Sequence, residues 1–469
     1  MGHEIEVWNK RFAGARSAKL AKALVAFNSN VDVIVLGVGQ ANEILATLTH
    51  HELEVIEKKS DKEPAAIHDL NDFFAALIHG IKTGKAILLH ADAHLFEWFG
   101  RVFKPTEKRI GGQAGIMANQ LSAFHDSVLA YSSLLSPLQA SFFNKAVRFP
   151  ITKGKTTSYP PAKSAARKQD ATKINWIFEF KTGEKIKALN EHASPRANRL
   201  IVASVVPFTP VFENVDLKHI AKQVDVAFLA GFHQLHGKSE KALLPKIVSQ
   251  IKELRNANKK LAVHWEFVPM EDNKAEKELL LAVGKAVQSF GLNEVEIIEI
   301  LHSLGAKKES DQVKKNENAF TLYQGCTKIL EVLKLERVHL HSYGFQLLLL
   351  RKPYAIAPEK ARDALVFSSM VAALKALKGG EFVTRTEVKK YDLTPSATGF
   401  NQLRALEGGI DEERDKRHSS FVRKDLLEKG IFEFKDHYVI FVPAPVVQSK
   451  STVGLGDVIS SIALAAERG

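Results

Sequence analysis

Near the end of the chain, Ser451, Thr452, Val453, Gly454, Leu455, Gly456 and Asp457 lead into the apolar run Val458 to Leu464. Two glycines two positions apart give the backbone conformations closed to other residues, so successive N–H groups can converge on one point. A helix opening there aims its free amides and positive dipole end at the same point, which makes an anion hole suited to phosphate. Asp457 is the odd member, because a carboxylate repels phosphate unless it is placed to take a proton. A base beside a phosphate activates a hydroxyl for phosphoryl transfer. The alternative is an Asp N-cap, with the glycines serving only the turn.

Further residues of the same kind are spread along the chain. Asn28, Asn30 and Asp32 interrupt the strand-like stretch 22–37, where buried polar groups need partners. A hydroxyl-rich ligand would supply them; so would a turn between two strands. Gly111, Gly112 and Gln113 open a second glycine-led helix in the stretch Arg109 to Asn119, suited to a sugar or phosphate contact or to tight helix packing. His264 and Glu266 end an apolar strand, and Asn293, Glu294 and Glu296 start a helix. Carboxylates at such edges suit Mg²⁺, which keeps its waters and bridges to phosphate oxygens; a helix-start carboxylate or an exposed strand end are the alternatives. His339, His341 and Tyr343 end another strand, where base or phosphate contacts compete with satisfied core histidines.

The elements that must position these residues read as an α/β protein. An amphipathic helix spans Asp69 to Gly84. The Pro-, Ala-, Ser- and Lys-rich stretch from Tyr159 to Asp170 marks an exposed loop. Strand-like runs at Ile174 to Phe180, Lys185 to Leu189 and Arg199 to Phe208, with no helix between them, predict an antiparallel sheet. From Val224 onward strands and helices alternate: Val224 to Ala230, Lys241 to Asn258, Leu261 to Phe267, Lys274 to Phe290, Glu294 to Leu304, Val338 to Ser342 and Lys360 to Leu377. That alternation predicts a parallel sheet covered by helices. Tyr438 to Val447 adds strands, and Lys307 to Asn318 reads as a solvated excursion. Ligands sit beyond the carboxyl ends of such strands, so a separate sheet over that edge would be a lid.

Composition narrows the class. The 469 residues are 45% hydrophobic and 25% charged, enough for a large core. Cys326 is the single cysteine, which excludes an intramolecular disulfide and a cysteine zinc site and fits a cytoplasmic setting. Met1 to Phe12 lacks the apolar core of a signal peptide, and no apolar stretch is long enough to span a membrane. The net charge of +12 raises nucleic acid as a partner, but the lysines are scattered among acids without aromatic interleaving. A doubly anionic small substrate suits that surplus as well.

Taken together, the motifs at 28–32, 111–115, 177–180, 264–266, 293–296, 339–343 and 453–457 stand in the order found in the ADP-dependent sugar kinases, the archaeal phosphofructokinases and glucokinases. The chain resembles that family along nearly its whole length. The resemblance implies a ribokinase-like large α/β domain with a central, mostly parallel sheet covered by helices, plus a smaller β-sheet lid domain. The lid would comprise about 22–40, 105–118 and 171–210, and the large domain mainly 41–104, 119–170 and 211–469. It also implies ADP as phosphoryl donor, AMP as product and Mg²⁺ as metal; the partners expected are small-molecule substrates, for a monomer or an oligomer. Asp457 would be the base, with Gly454 and Gly456 in the anion hole. Asn30, Asp32, Gly111, Gly112, Gln113 and Asn175 would contact the sugar, and Glu266 and Glu296, beside Asp457, would organise the metal. Arg199 would bind nucleotide phosphate, and His341, Tyr343 and Val447 would border adenine. Within the family, Leu88 stands where glucokinases place a sugar-binding glutamate, and Lys173 matches a phosphofructokinase lysine that would pair with a 6-phosphate. Val205 departs from an arginine that some phosphofructokinases carry. The branch implied is phosphofructokinase, with a glucokinase or bifunctional enzyme, or more distantly a silent binding protein, as alternatives.

Overall fold

The computed structural model describes residues 2–125, 127–235, 238–270, 272–380, 382–417 and 426–469. A ten-stranded sheet runs in the order Ile431–Glu433, His437–Pro443, Phe345–Arg351, Arg337–Ser342, Ser289–Asn293, Ala262–Glu266, Val226–Ala230, Ala23–Phe27, Val128–Tyr131 and Val147–Arg148. Every pairing from Arg337–Ser342 to Val147–Arg148 is parallel, and the other three are antiparallel. Its central strands are buried from end to end, as expected of Val-, Leu- and Ala-rich strands covered by helices on both faces. The helices Pro358–Lys378 and Leu455–Arg468 are apolar around most of their circumference and bury accordingly.

A five-stranded sheet has the order Ile87–Ala91, Asn198–Ser204, Ile174–Phe180, Asn30–Leu36, Glu107–Gly111. It is mixed rather than purely antiparallel: Ile174–Phe180 runs antiparallel to Asn198–Ser204 but parallel to Asn30–Leu36. Its back is covered by Leu70–Thr83 and Ala93–Val102 through an aromatic cluster that includes Phe73, Phe99, Phe103, Trp176 and Phe178. The helix Leu70–Thr83 lies between the expected signals, with Asp69 accepting from the Asp72 amide and Gly84 closing it in the left-handed conformation.

Several expectations need correction. Residues 41–104 do not join the large sheet; Ala41, Leu45, Ile56, Phe73, Phe74 and Leu89 bury into the core of the smaller one. Conversely, Ala23–Phe27 belongs to the large sheet, and the chain changes sheets at Asn28 and Ser29. The expected helix Lys274 to Phe290 stops early, passes through a π turn at Leu280–Gly284, and gives way to the strand Ser289–Asn293. Short Ser/Gly/Asn-bearing strands lack the β-branched signature, so only their pairing reveals them. Lys185–Lys187 pairs with Glu191–Ala193 in a separate hairpin, and Lys307–Lys315 is a helix that buries Val313. No helix among the described residues is long and apolar enough to cross a membrane.

Candidate active site

The carboxyl ends of the parallel strands face the smaller sheet across a cleft of about 700 Å³. Asn30, Asp32, Gly112, Gln113, Asn175 and Arg199 line it from one side, and Glu266, Glu296, His341, Tyr343, Val447, Gly454, Gly456 and Asp457 from the other. Two expected residues are placed differently. Gly111 pairs with Asn30 across the strands and does not line the cleft. Lys173 is buried beneath it, its Nζ donating to Asn28 Oδ1 at 3.1 Å and to Gln234 Oε1 at 2.6 Å.

The floor is the start of the helix Leu455–Arg468. Gly454 is its N-cap, at φ 71°, so the cap carries no side chain and the first-turn amides stay open to the cleft. Asp457 is therefore not the cap; it stands in the first turn with its carboxyl in the cleft. Burial, with the charge of Glu266 nearby, pushes that carboxyl up to about 7. A carboxylate of that affinity can take a proton at neutral pH, as a base must.

Glu266 ends the strand Ala262–Glu266 between two imidazoles, with His264 Nε2 at 3.0 Å and His341 Nε2 at 3.2 Å. Burial alone would raise its affinity for a proton, but the two imidazole contacts hold it well below the usual carboxylate range. His341 responds in the opposite sense: burial pulls it down, and the hydrogen bond and charge of Glu266 raise it to about 9. Burial lowers His264. A neutral His264 can serve a carboxylate only through its Nε2 proton, which leaves Nδ1 to accept from the Ser289 hydroxyl at 2.7 Å. Glu296 begins the helix Glu296–Ser303, accepts the Asn293 amide at 2.8 Å, and is pushed up to about 8 chiefly by burial.

The opposite wall is less complete. Asn30 Nδ2 donates to Asp32 Oδ1 at 2.6 Å, and burial raises the Asp32 carboxyl to about 6 despite the charge of Arg109. Gly112, at φ 72°, lies so close to the Asn28 carbonyl that a Cβ would stand 2.7 Å from it, so only glycine lets the helix Gln113–Ser122 begin there. Gln113 Oε1, Asn175 Oδ1 and Arg199 Nε are all buried without a hydrogen-bond partner. Orphaned polar atoms facing a cleft are the complement of a ligand rich in hydroxyls and charge. The lining also includes the apolar Ala372, Ala373, Val446 and Val447, together with Tyr343.

As a metal site the donors are hard oxygens. Among the described residues no three His, Cys, Asp or Glu side chains cluster closely enough to hold an ion alone. Burial, with the charge of Glu266 as a lesser cause, pushes the carboxyls of Glu296 and Asp457 up to about 8 and about 7, and a divalent cation would stabilise their ionised forms. The donor set fits a mostly hydrated Mg²⁺.

His264 and Arg109 also shape the site, and no motif assigns them a role. His264 is two positions from Glu266 on one strand, and that spacing puts both on one face. The buried Arg109 opposite Asp32 depends on cross-strand register, which no local pattern reveals.

The ADP-specific phosphofructokinase/glucokinase conserved region matches residues 21–466. An ADP-specific phosphofructokinase of Methanosarcina acetivorans is 31% identical, over 99% of this chain and 97% of its own length. An ADP-dependent glucose/glucosamine kinase of Pyrococcus abyssi is 29% identical, over 96% and 95%. Among solved structures, an ADP-dependent kinase in complex with fructose 6-phosphate and ADPβS matches with a TM-score of 0.82 at 30% identity, over 98% of this chain and 97% of that one.

Proposed function

The chain belongs to the ADP-specific phosphofructokinase/glucokinase family, and from that premise we propose that it is an ADP-dependent 6-phosphofructokinase. It transfers the β-phosphoryl group of ADP to fructose 6-phosphate, giving fructose 1,6-bisphosphate and AMP in glycolysis. The observation that carries the reading is Asp457, a carboxyl raised to about 7 in the first turn of an uncapped helix, facing a wall of unpartnered sugar-type donors and acceptors.

In this reading Asp457 takes the proton of the attacking sugar hydroxyl, and the first-turn amides after Gly454 accept the charge of the transferring group. Asp32, Asn30, Asn175 and Gln113 orient the sugar, so that the attacking oxygen meets the phosphorus in line. Mg²⁺, held through its waters by Glu266 and Glu296 beside Asp457, would supply charge neutralisation at the phosphates. His341, Tyr343 and Val447 border the adenine, and Arg199 meets a nucleotide phosphate. The smaller sheet with its helices acts as the lid, excluding water that would otherwise hydrolyse ADP. We take the enzyme to act as a cytoplasmic monomer on small molecules alone.

Leu88 is 56% exposed at the cleft and offers no acceptor to a glucose hydroxyl, which favours the phosphorylated sugar. A glucose kinase is the second reading, favoured by the Pyrococcus abyssi relative and by Lys173 being engaged with Asn28 and Gln234. Phosphoryl transfer with ADP and Mg²⁺ decides between them, with fructose 6-phosphate and glucose as acceptors and ATP as control donor. Preference for fructose 6-phosphate with ADP is expected; preference for glucose would establish the second reading, and no transfer to either would defeat both.

A further inference from the structure

Glu179 and Arg199 stand directly opposite each other on the antiparallel strands Ile174–Phe180 and Asn198–Ser204. Arg199 reaches across the cleft, its Nη1 donating to Thr452 Oγ1 at 3.1 Å in the segment that leads into the glycine loop. Its Nε is buried without a partner, and so is Glu179 Oε1. The charge of Glu179 is the foremost one supporting the Arg199 cation against burial, followed by that of Asp32, while Arg109 opposes it. Arg109, Glu107 and the Ser451 hydroxyl are the remaining groups that act on Glu179. The two side chains form no direct ion pair among the described residues, so Arg199 keeps donors free for an incoming anion. A guanidinium this buried needs a compensating carboxylate, and one in contact would consume the fork that recognises phosphate.

We propose that Glu179 is a positioning residue for the nucleotide: placed opposite Arg199 but out of contact, its charge offsets the burial of the guanidinium and keeps it aimed at the glycine loop, with its fork open to an ADP phosphate. The proposal rests on the kinase reading above. Neutralising Glu179 without changing its shape should weaken ADP through Arg199 alone and leave the sugar wall intact.

The test is a double-mutant cycle on ADP affinity, measured by calorimetric titration of the full chain with ADP and Mg²⁺ and no sugar present. Glu179→Gln should weaken ADP about tenfold, or ~1.4 kcal/mol. On the Arg199→Ala background the same change should have almost no effect. In steady state, Glu179→Gln should raise the KM for ADP and leave the KM for fructose 6-phosphate at saturating ADP within about twofold, a split that general loosening would not produce. Glu179→Asp, which keeps the charge, should recover most of the affinity and guards against a misfolded Gln variant. Equal losses with and without Arg199, or unchanged ADP affinity in Glu179→Gln, would overturn the proposal while leaving the kinase reading standing. A native chain that binds no ADP would overturn both.

Discussion

The two walls of the cleft are built on opposite principles. On the large-sheet wall Glu266 and Glu296 already have partners: His264 and His341 flank Glu266, the Asn293 amide meets Glu296, and Ser289 backs His264. Opposite, Asn175 and Arg199 on the smaller sheet, and Gln113 at the start of the helix that follows its strand Glu107–Gly111, each keep a buried polar atom unpaired. Preorganised, low-dielectric groups are what a developing charge needs, whereas unpaired groups cost free energy until a ligand satisfies them. The large sheet is thus equipped for the phosphoryl group, which is the same for every acceptor, and the smaller sheet mainly for the sugar, with Arg199 the group there that turns to the nucleotide. Specificity can then be rewritten on one wall without disturbing chemistry on the other.

The largest expected effect strikes the chemical wall. Asp457→Asn should lower kcat by about 10²- to 10⁴-fold, the usual worth of a general base, with ADP affinity nearly unchanged. In the native enzyme kcat/KM should fall as pH drops below about 7, because the base works only when deprotonated and its carboxyl is raised to about 7 in the free protein. That acidic limb should disappear from the residual rate of the variant. Turnover within tenfold of native would break the division of labour at its centre. Next in size is Lys173→Ala on the specificity side. Burial brings this amine down to about 7, so it is partly uncharged until an anion arrives to stabilise the cation. The variant should raise the KM for fructose 6-phosphate about tenfold or more, with the KM for ADP little changed, as loss of one charge-assisted contact predicts. Equal changes in both constants would mean that Lys173 supports the cleft as a whole.

The contrast between the walls also explains what could be read from sequence. The large-sheet groups belong to local patterns: an i, i+2 pair on a strand for His264 and Glu266, a glycine-led helix start for Asp457, an alternation of strands and helices around them. Each is visible within a few residues. The small-sheet wall depends on register between distant strands, such as Asp32 opposite Asn175 and Arg199 opposite Glu179, and on residues 41–104 turning away from the large sheet to cover the smaller one. Local propensity carries no information about either. Lys173 is the sharpest instance. Its match to a phosphofructokinase lysine implies a partner for a 6-phosphate, and only the hydrogen bonds to Asn28 and Gln234 show that the amine is buried and engaged.

The smallest effect expected is also the most discriminating, because it separates function from stability within one residue. Glu296 is raised to about 8 from an ordinary 4.5, chiefly by burial, so in the ligand-free protein its ionised form is disfavoured. The sign follows from linkage. An acid whose folded pKa lies above its unfolded one imposes no penalty below the unfolded value, an increasing penalty as pH rises between the two, and the full penalty above the folded value. Glu296→Gln keeps an acceptor for the Asn293 amide but cannot ionise. Without ligands, its Tm relative to native should be near zero at pH 5 and climb by a few degrees toward pH 8, while its Mg²⁺-dependent turnover falls severalfold. A Tm difference that is flat with pH would show that the carboxyl is at ease in the free protein. The large-sheet wall would then be fully relaxed before ligand binds, with no unmet charge left for a cation to satisfy.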